Sequence, residues 1–168
     1  MKNSLKSVLC ILTVLTLPLF LGLTPGQQAP DFSIKNQDGK VIRLSEFKGK
    51  PVLLYFYPKD DTPGCTKEAC NFRDEFSKFK SAGAVVLGIS KQDEKSHQEF
   101  KSKHHLPFDL LIDSDGALAK SYGVDSYPGV GLLKRQSVLI AANGKILKVY
   151  KDVDPDTHAS EVLRDLQK

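Results

Sequence analysis

The chain has 168 residues, 40% of them hydrophobic and 26% charged, which suits one globular domain with a full core. Its formal charge is +4, or +2 once Lys2 and Lys6 of a leader-like N-terminus are set aside, and the remaining Lys, Asp and Glu are interspersed. No dense basic stripe forms, so nucleic acid is not expected as a partner.

Met1 to Ser7 carries the two lysines, and Val8 to Leu23 is an uncharged, mostly apolar run. A basic stretch followed by an apolar one is the layout of a secretory signal. The run is short for a spanning helix and Pro18 interrupts it. No clear A-x-A cleavage site follows. Residues 1–23 therefore read as a signal peptide or a membrane anchor through residues 8–23, and the protein as exported to a periplasm or comparable lumen. Cys10 is then a small hydrophobe of the leader.

The folded domain is expected over residues 24–168. Thr24 to Pro30 is a linker. Phe32 to Ile34 and Val41 to Leu44 flank Asp38-Gly39 as a β-hairpin. Ser45 to Phe47 is a short helical turn. Val52 to Tyr57 is a continuous apolar, β-rich run, as expected for a central strand covered on both faces, and Pro58 stops it. Cys65 to Lys80 has apolar residues at 65, 69, 72, 76 and 79, the period of one amphipathic helix closed by Gly83. Ala84 to Ser90 is a second buried strand, and Asp93 to His104 a second helix. Phe108 to Ile112 is a short strand, and Ala117 to Tyr122 a short helix. Gly123 to Lys134 reads as a loop. Ser137 to Ala141 and Lys145 to Tyr150 form a hairpin around Asn143-Gly144, and Thr157 to Gln167 is a terminal helix. This order predicts an α/β sandwich of the thioredoxin type, a central mixed sheet flanked by helices with an N-terminal β-hairpin.

Chemistry concentrates at Cys65 and Cys70. Cys65 follows Thr62-Pro63-Gly64 and falls in the first turn of its helix. Unpaired backbone N–H groups and the positive end of the helix dipole favour an anion there. A thiol so placed is expected to be an acidic, exposed nucleophile. For an exported protein, a structural disulfide is the default reading of two cysteines. The five-residue spacing argues against it. In an intact helix it corresponds to about 140° of rotation and roughly 7.5 Å of rise, which puts the Cα atoms about 8–9 Å apart. A disulfide needs less than roughly 7 Å. Bonding the pair requires the first turns to unwind, which suits a bond made only during a reaction cycle.

Zinc is a poor alternative, because the C-x₄-C spacing is marginal and there is no second cysteine pair. His97, His104, His105 and His158 show no ligand-like arrangement near Cys65 and read as surface residues. A thioredoxin-like disulfide oxidoreductase lacks its C-x-x-C here. A non-enzymatic thioredoxin-fold module with a passive 65–70 bridge is the remaining alternative.

The residues Pro58-x-x-x-Thr62-x-x-Cys65 resemble the active-site pattern of the peroxiredoxins. With Cys70 five residues on, the chain is similar to their bacterioferritin-comigratory-protein / peroxiredoxin Q subfamily. The similarity extends from about Gly26 to the C-terminus and includes Asp31-Phe32, Tyr55-Phe56-Tyr57-Pro58, Leu87-Gly88-Ile89-Ser90 and Arg135-x-Ser137-x-Leu139-Ile140. The resemblance implies a thiol peroxidase in which Cys65 is the peroxidatic nucleophile and Cys70 the resolving thiol. Thr62 would hydrogen-bond the thiolate and the peroxide, Pro58 would shield the site from water, and Arg135 would stabilise the thiolate. Lys134 and Arg73 are cationic competitors for that last role. Read blandly, Thr62 is only a helix cap and Arg135 a surface charge. The resemblance implies a peroxide substrate and a thioredoxin-like reductant and calls for no metal, haem or flavin; a monomer is expected. Its members are commonly cytosolic, so the leader is a departure, and the reductant would have to work outside the cytoplasm.

Overall fold

The structure, a computed structural model, describes residues 23–167. The leader expected over residues 1–23, Cys10 included, lies outside the described residues except for Leu23, which packs against the core. Among the described residues no helix is long and apolar enough to cross a membrane.

Two sheets form. The N-terminal hairpin pairs β1 (Ser33–Lys35) with β2 (Val41–Arg43), and a 3-10 turn over Leu44–Phe47 leads out of it. The main sheet has the order β5-β4-β3-β6-β7. Its strands are β3 (Val52–Phe56), β4 (Val85–Ser90), β5 (Asp109–Ile112), β6 (Gln136–Ile140) and β7 (Ile146–Tyr150). Neighbours β3, β4 and β5 run parallel, whereas β6 and β7 run antiparallel to the strand before them in space. The turn between β6 and β7 uses Gly144 at φ 80°, a left-handed conformation that glycine adopts without Cβ strain.

Strand β3 is central and buried along its whole length. Its side chains alternate between two apolar layers. Val52, Leu54 and Phe56 join Ile42, Leu118 and Tyr122 on one face. Leu53, Tyr55 and Tyr57 face Phe72, Phe79, Phe100 and Val162 on the other. The helices that supply these partners are α1 (Pro63–Asp74), α2 (Phe76–Ser81), α3 (Glu94–Lys103), α4 (Ala117–Ser121) and α5 (His158–Asp165). Full burial of a phenylalanine such as Phe72 contributes about 1.5–3 kcal/mol.

Two expectations need correction. The single helix over Cys65 to Lys80 is two, interrupted at Glu75, whose backbone takes φ −90° and ψ 3°. The apolar period crosses the break, with the Phe72 and Phe79 rings 5.7 Å apart. Periodicity reports which face is buried, not whether the hydrogen-bond ladder is continuous. Nor are all four histidines at the surface: His97 and His158 are fully buried, while His104 is partly covered and only His105 is exposed. Each buried ring is bonded, His158 Nε2 lying 2.9 Å from Ser137 Oγ and His97 meeting Asp60 and the Leu111 carbonyl. Burial pushes His158 down to about 4, so it is neutral at physiological pH.

Candidate active site around Cys65

Strand β3 delivers the chain into Pro58, which is half-buried just past the strand's C-terminal end. The loop that follows ends at Thr62, the N-cap of α1, and Pro63 takes the first helical position, where its missing N–H costs nothing. Cys65 is therefore in the first turn, as its sequence context predicts. It is not exposed: the residue is 1% accessible, part of the apolar layer with Tyr55, Ala69 and Phe72. The helical stripe turns its side chain inward.

Arg135 reaches this thiol from far along the chain because of sheet register. Phe56 at the end of β3 pairs with Gln136 at the start of antiparallel β6, so the residue before Gln136 arrives beside the β3–α1 connection. Arg135 Nη2 donates to Cys65 Sγ at 3.3 Å. Its Nη1 donates to Glu68 Oε2. Gly64 permits the approach, since a Cβ there would lie 3.1 Å from Arg135 Nη2. The cationic competitors go elsewhere. Lys134 pairs with Asp125 at 3.6 Å. Arg73 binds Asp74 at 2.8 Å and the His104 carbonyl at 2.9 Å.

Glu68, which holds Arg135, is the side chain of this site that the sequence reading does not single out. It follows Cys65 by three positions, the helical spacing that puts two side chains on one face, and that was the signal available. The side chain is fully buried, and Oε1 has no hydrogen-bond partner among the described residues. Burial pushes its carboxyl up to about 7, partly offset by Arg135. Burial also works against the Arg135 charge, but Glu68 and the Cys65 sulfur more than offset it, and the guanidinium pKa rises.

Thr62 carries no side-chain cap bond; its hydroxyl donates to the Lys59 carbonyl at 3.0 Å. Cys70 lies on the same unbroken helix as Cys65, half-buried, and both thiols are free. Arg73 sits next to Cys70, one helical turn on. Just behind Cys70, Asn71 Nδ2 donates to the Pro155 carbonyl at 2.8 Å, which ties the middle of α1 to the segment before α5. A groove of about 420 Å³, lined by Tyr127, Lys134, Arg135, Lys151 and Val153 among others, runs along the solvent side of Arg135. A larger hollow of about 520 Å³ beside Phe47, Val52 and Asn143 has no cysteine in its lining.

Taken together, the geometry provides a thiol with one guanidinium aimed at its sulfur, and a second thiol within reach only if the helix start opens. Known proteins carry the same arrangement of chain. The AhpC/TSA family profile matches residues 25–149. The chain is 47% identical over 146 residues to the chloroplastic peroxiredoxin Q of Oryza sativa subsp. japonica, a match spanning 86% of this chain and 67% of that protein. It is similar in structure to the peroxidoxin BcpB of Mycobacterium tuberculosis, with 34% identity, a TM-score of 0.80 and coverage of 86% and 97% of the two chains. The bacterioferritin comigratory protein of Xanthomonas campestris, studied for its alkyl peroxide reduction, matches at 29% identity and a TM-score of 0.79 over 86% and 98%. With more than half of its length under the family profile, the chain belongs to the AhpC/TSA family, within its peroxiredoxin Q/bcp branch.

Proposed function

We propose that this thiol-dependent peroxidase runs its cycle on Cys65 and Cys70. A Cys65 thiolate attacks one peroxide oxygen. The O–O bond breaks, the leaving oxygen takes a proton and departs as water or an alcohol, and Cys65 becomes a sulfenic acid. The Cys70 thiol then attacks the sulfenic sulfur, the S–O bond breaks, and hydroxide leaves as water with the Cys70 proton. A thioredoxin-type dithiol, the reductant that the family implies, supplies two electrons and restores both thiols by exchange.

The observation that carries this reading is the Arg135 Nη2 donor at 3.3 Å from Cys65 Sγ. A fixed guanidinium favours the thiolate and the negative charge that develops on the peroxide oxygens. The Thr62 proton is committed to the Lys59 carbonyl, which leaves the hydroxyl oxygen as an acceptor for a peroxide O–H. Pro58, with no N–H of its own, closes the loop on the side of β3 and keeps water from the thiol. Cys65, Cys70 and Arg135 all come from one chain, which supports the reading of a monomer. In support of export stand Lys2 and Lys6 followed by the apolar run from Val8 to Leu23; mass analysis of the N-terminus after expression with fractionation tests it, and an intact chain recovered with the cytoplasm ends that part.

Peroxide consumption coupled to thioredoxin tests the cycle. Cys65→Ser is expected to lose all activity. Cys70→Ser is expected to lose turnover yet consume one equivalent of peroxide per chain. Full activity in Cys65→Ser overturns the proposal.

A further inference from the structure

The loop from Pro58 to Thr62 is tied to α3 by side chains that touch neither Cys65 nor Arg135. Asp60, 6% accessible, accepts three hydrogen bonds from side chains: Tyr57 Oη at 2.7 Å, Ser96 Oγ at 2.7 Å and His97 Nδ1 at 2.8 Å. Tyr57 is fully buried, and burial pushes its phenol well above the ordinary tyrosine range, so it stays a donor. His97 is fully buried, and its other nitrogen faces the Leu111 carbonyl at 3.2 Å. Asp61 is bound as well. Its φ of 56° is left-handed, unusual outside glycine, and its carboxylate accepts from Lys103 Nζ at 3.0 Å and His104 Nε2 at 2.8 Å. Ser96 and His97 lie in the first turn of α3; Lys103 is its last residue and His104 its C-cap. Two adjacent aspartates thus fasten one loop to both ends of one helix.

Cycling makes opposite demands on neighbouring residues. The Cys65 turn must unwind for Cys70 to reach it, while Pro58 and Thr62, a few residues upstream, must return to the same place after every turnover. We propose that Asp60, seconded by Asp61, is a positioning residue: it pins the Pro58–Thr62 loop to α3 so that the opening of α1 starts at Pro63 and does not spread back into the loop. Asn71, held by the Pro155 carbonyl, is the matching stop beyond Cys70. The unwinding segment is then residues 63–70, bounded by side-chain ties at both ends. This inference rests on the roles assigned above to Cys65 and Cys70.

The two chemical steps separate the clamp from a general packing role. Oxidation of Cys65 is read as a second-order rate in stopped flow with peroxide, and resolution as the appearance of the 65–70 disulfide in acid-quenched samples by mass spectrometry. Asp60→Asn keeps the size of the side chain but replaces one acceptor oxygen with a donor. It is expected to slow Cys65 oxidation by about 10–100-fold, the usual consequence of misplacing a positioned group by about 1 Å, and to leave resolution as fast as wild type or faster. Ser96→Ala removes one of the donors and reads the same step in a less perturbed protein, with an expected loss of about 2–5-fold. Asp61→Gly keeps the left-handed backbone while deleting the ion pairs, and is expected to match Ser96→Ala. Unchanged rates in Asp60→Asn, or equal slowing of both steps in it and in Ser96→Ala, overturn the proposal. A wild type that oxidises at Cys65 but forms no 65–70 disulfide breaks the reading of the cycle instead, and Cys65 oxidation in the variants still judges the clamp.

Discussion

Two buried carboxylates lie close together in sequence on either side of Cys65, and they are built in opposite ways. Asp60 has both oxygens occupied, by a phenol, a hydroxyl and an imidazole. Glu68, fully buried, has one oxygen on Arg135 and the other, among the described residues, without a partner. A buried charge costs little when donors surround it and a great deal when they do not. Asp60 is accordingly an anchor, while Glu68 is a group whose protonation is poised near neutrality and coupled to the guanidinium on Cys65. The contrast teaches where rigidity is stored: upstream of the nucleophile the loop is fastened, and within the helix the polar partner is left able to change state.

The sharpest way to break that comparison is Asp60→Ala. It strands His97 and Tyr57 without their acceptor, and urea denaturation is expected to show a loss of about 3–5 kcal/mol. A loss below about 1 kcal/mol, the value of an exposed ion pair, would mean the site relaxes and Asp60 is no anchor. Next comes Arg135→Ala, which removes the donor from Cys65 Sγ and, among the described residues, the side-chain partner of Glu68. The rate of Cys65 oxidation is expected to fall about 100–1000-fold, the scale for losing one donor to developing negative charge. Retention of the rate would show that another cation serves the sulfur.

Glu68→Gln sharpens the comparison through pH. The folded carboxyl titrates at about 7 against an ordinary value of 4.5, so between those values the native state holds more protons than the unfolded one. Stability from the protonated form is complete below about pH 4.5 and is lost as pH rises through about 7. Relative to Glu68→Gln, which cannot ionise, wild type is expected to lose on the order of 1–3 kcal/mol between pH 4.5 and 7.5. Parallel curves from urea titrations across that range refute the burial argument. The smallest effect belongs to Lys103→Ala. Its bond to Asp61 is solvent-exposed, with 61% and 41% of the two side chains accessible, so thermal stability is expected to change by under about 1 kcal/mol and to do so less at high salt.

What was legible beforehand follows from periodicity and turn chemistry. Alternation and β-branched runs placed every strand of the main sheet within a residue or so, because such side chains report burial locally. Thr62-Pro63-Gly64 placed Cys65 in a first helical turn, since proline has few other uses there. The break at Glu75 was invisible because Phe72, Phe76 and Phe79 keep the same stripe on both sides of it. The buried histidines were misjudged because a lone His in a polar helix such as α3 carries no local mark of burial; only Asp60 and Leu111, brought in from other elements, make its burial tolerable.

By itself the sequence determined the element order, the start of the reactive helix and a cysteine spacing that forbids a bond while that helix stands. These are local consequences of backbone sterics and helical pitch. Local sequence did not decide which cation meets the thiol; tertiary structure did, as the family resemblance implied for Arg135. Three basic residues were candidates, and the antiparallel register of β6 on β3 delivers Arg135 to Cys65 while Lys134 and Arg73 are taken by Asp125 and Asp74. Likewise only the packed α3 turned Asp60 and Asp61 from two adjacent charges into a clamp, because hydrogen-bond partners distant in sequence are chosen by the fold rather than by the chain around them.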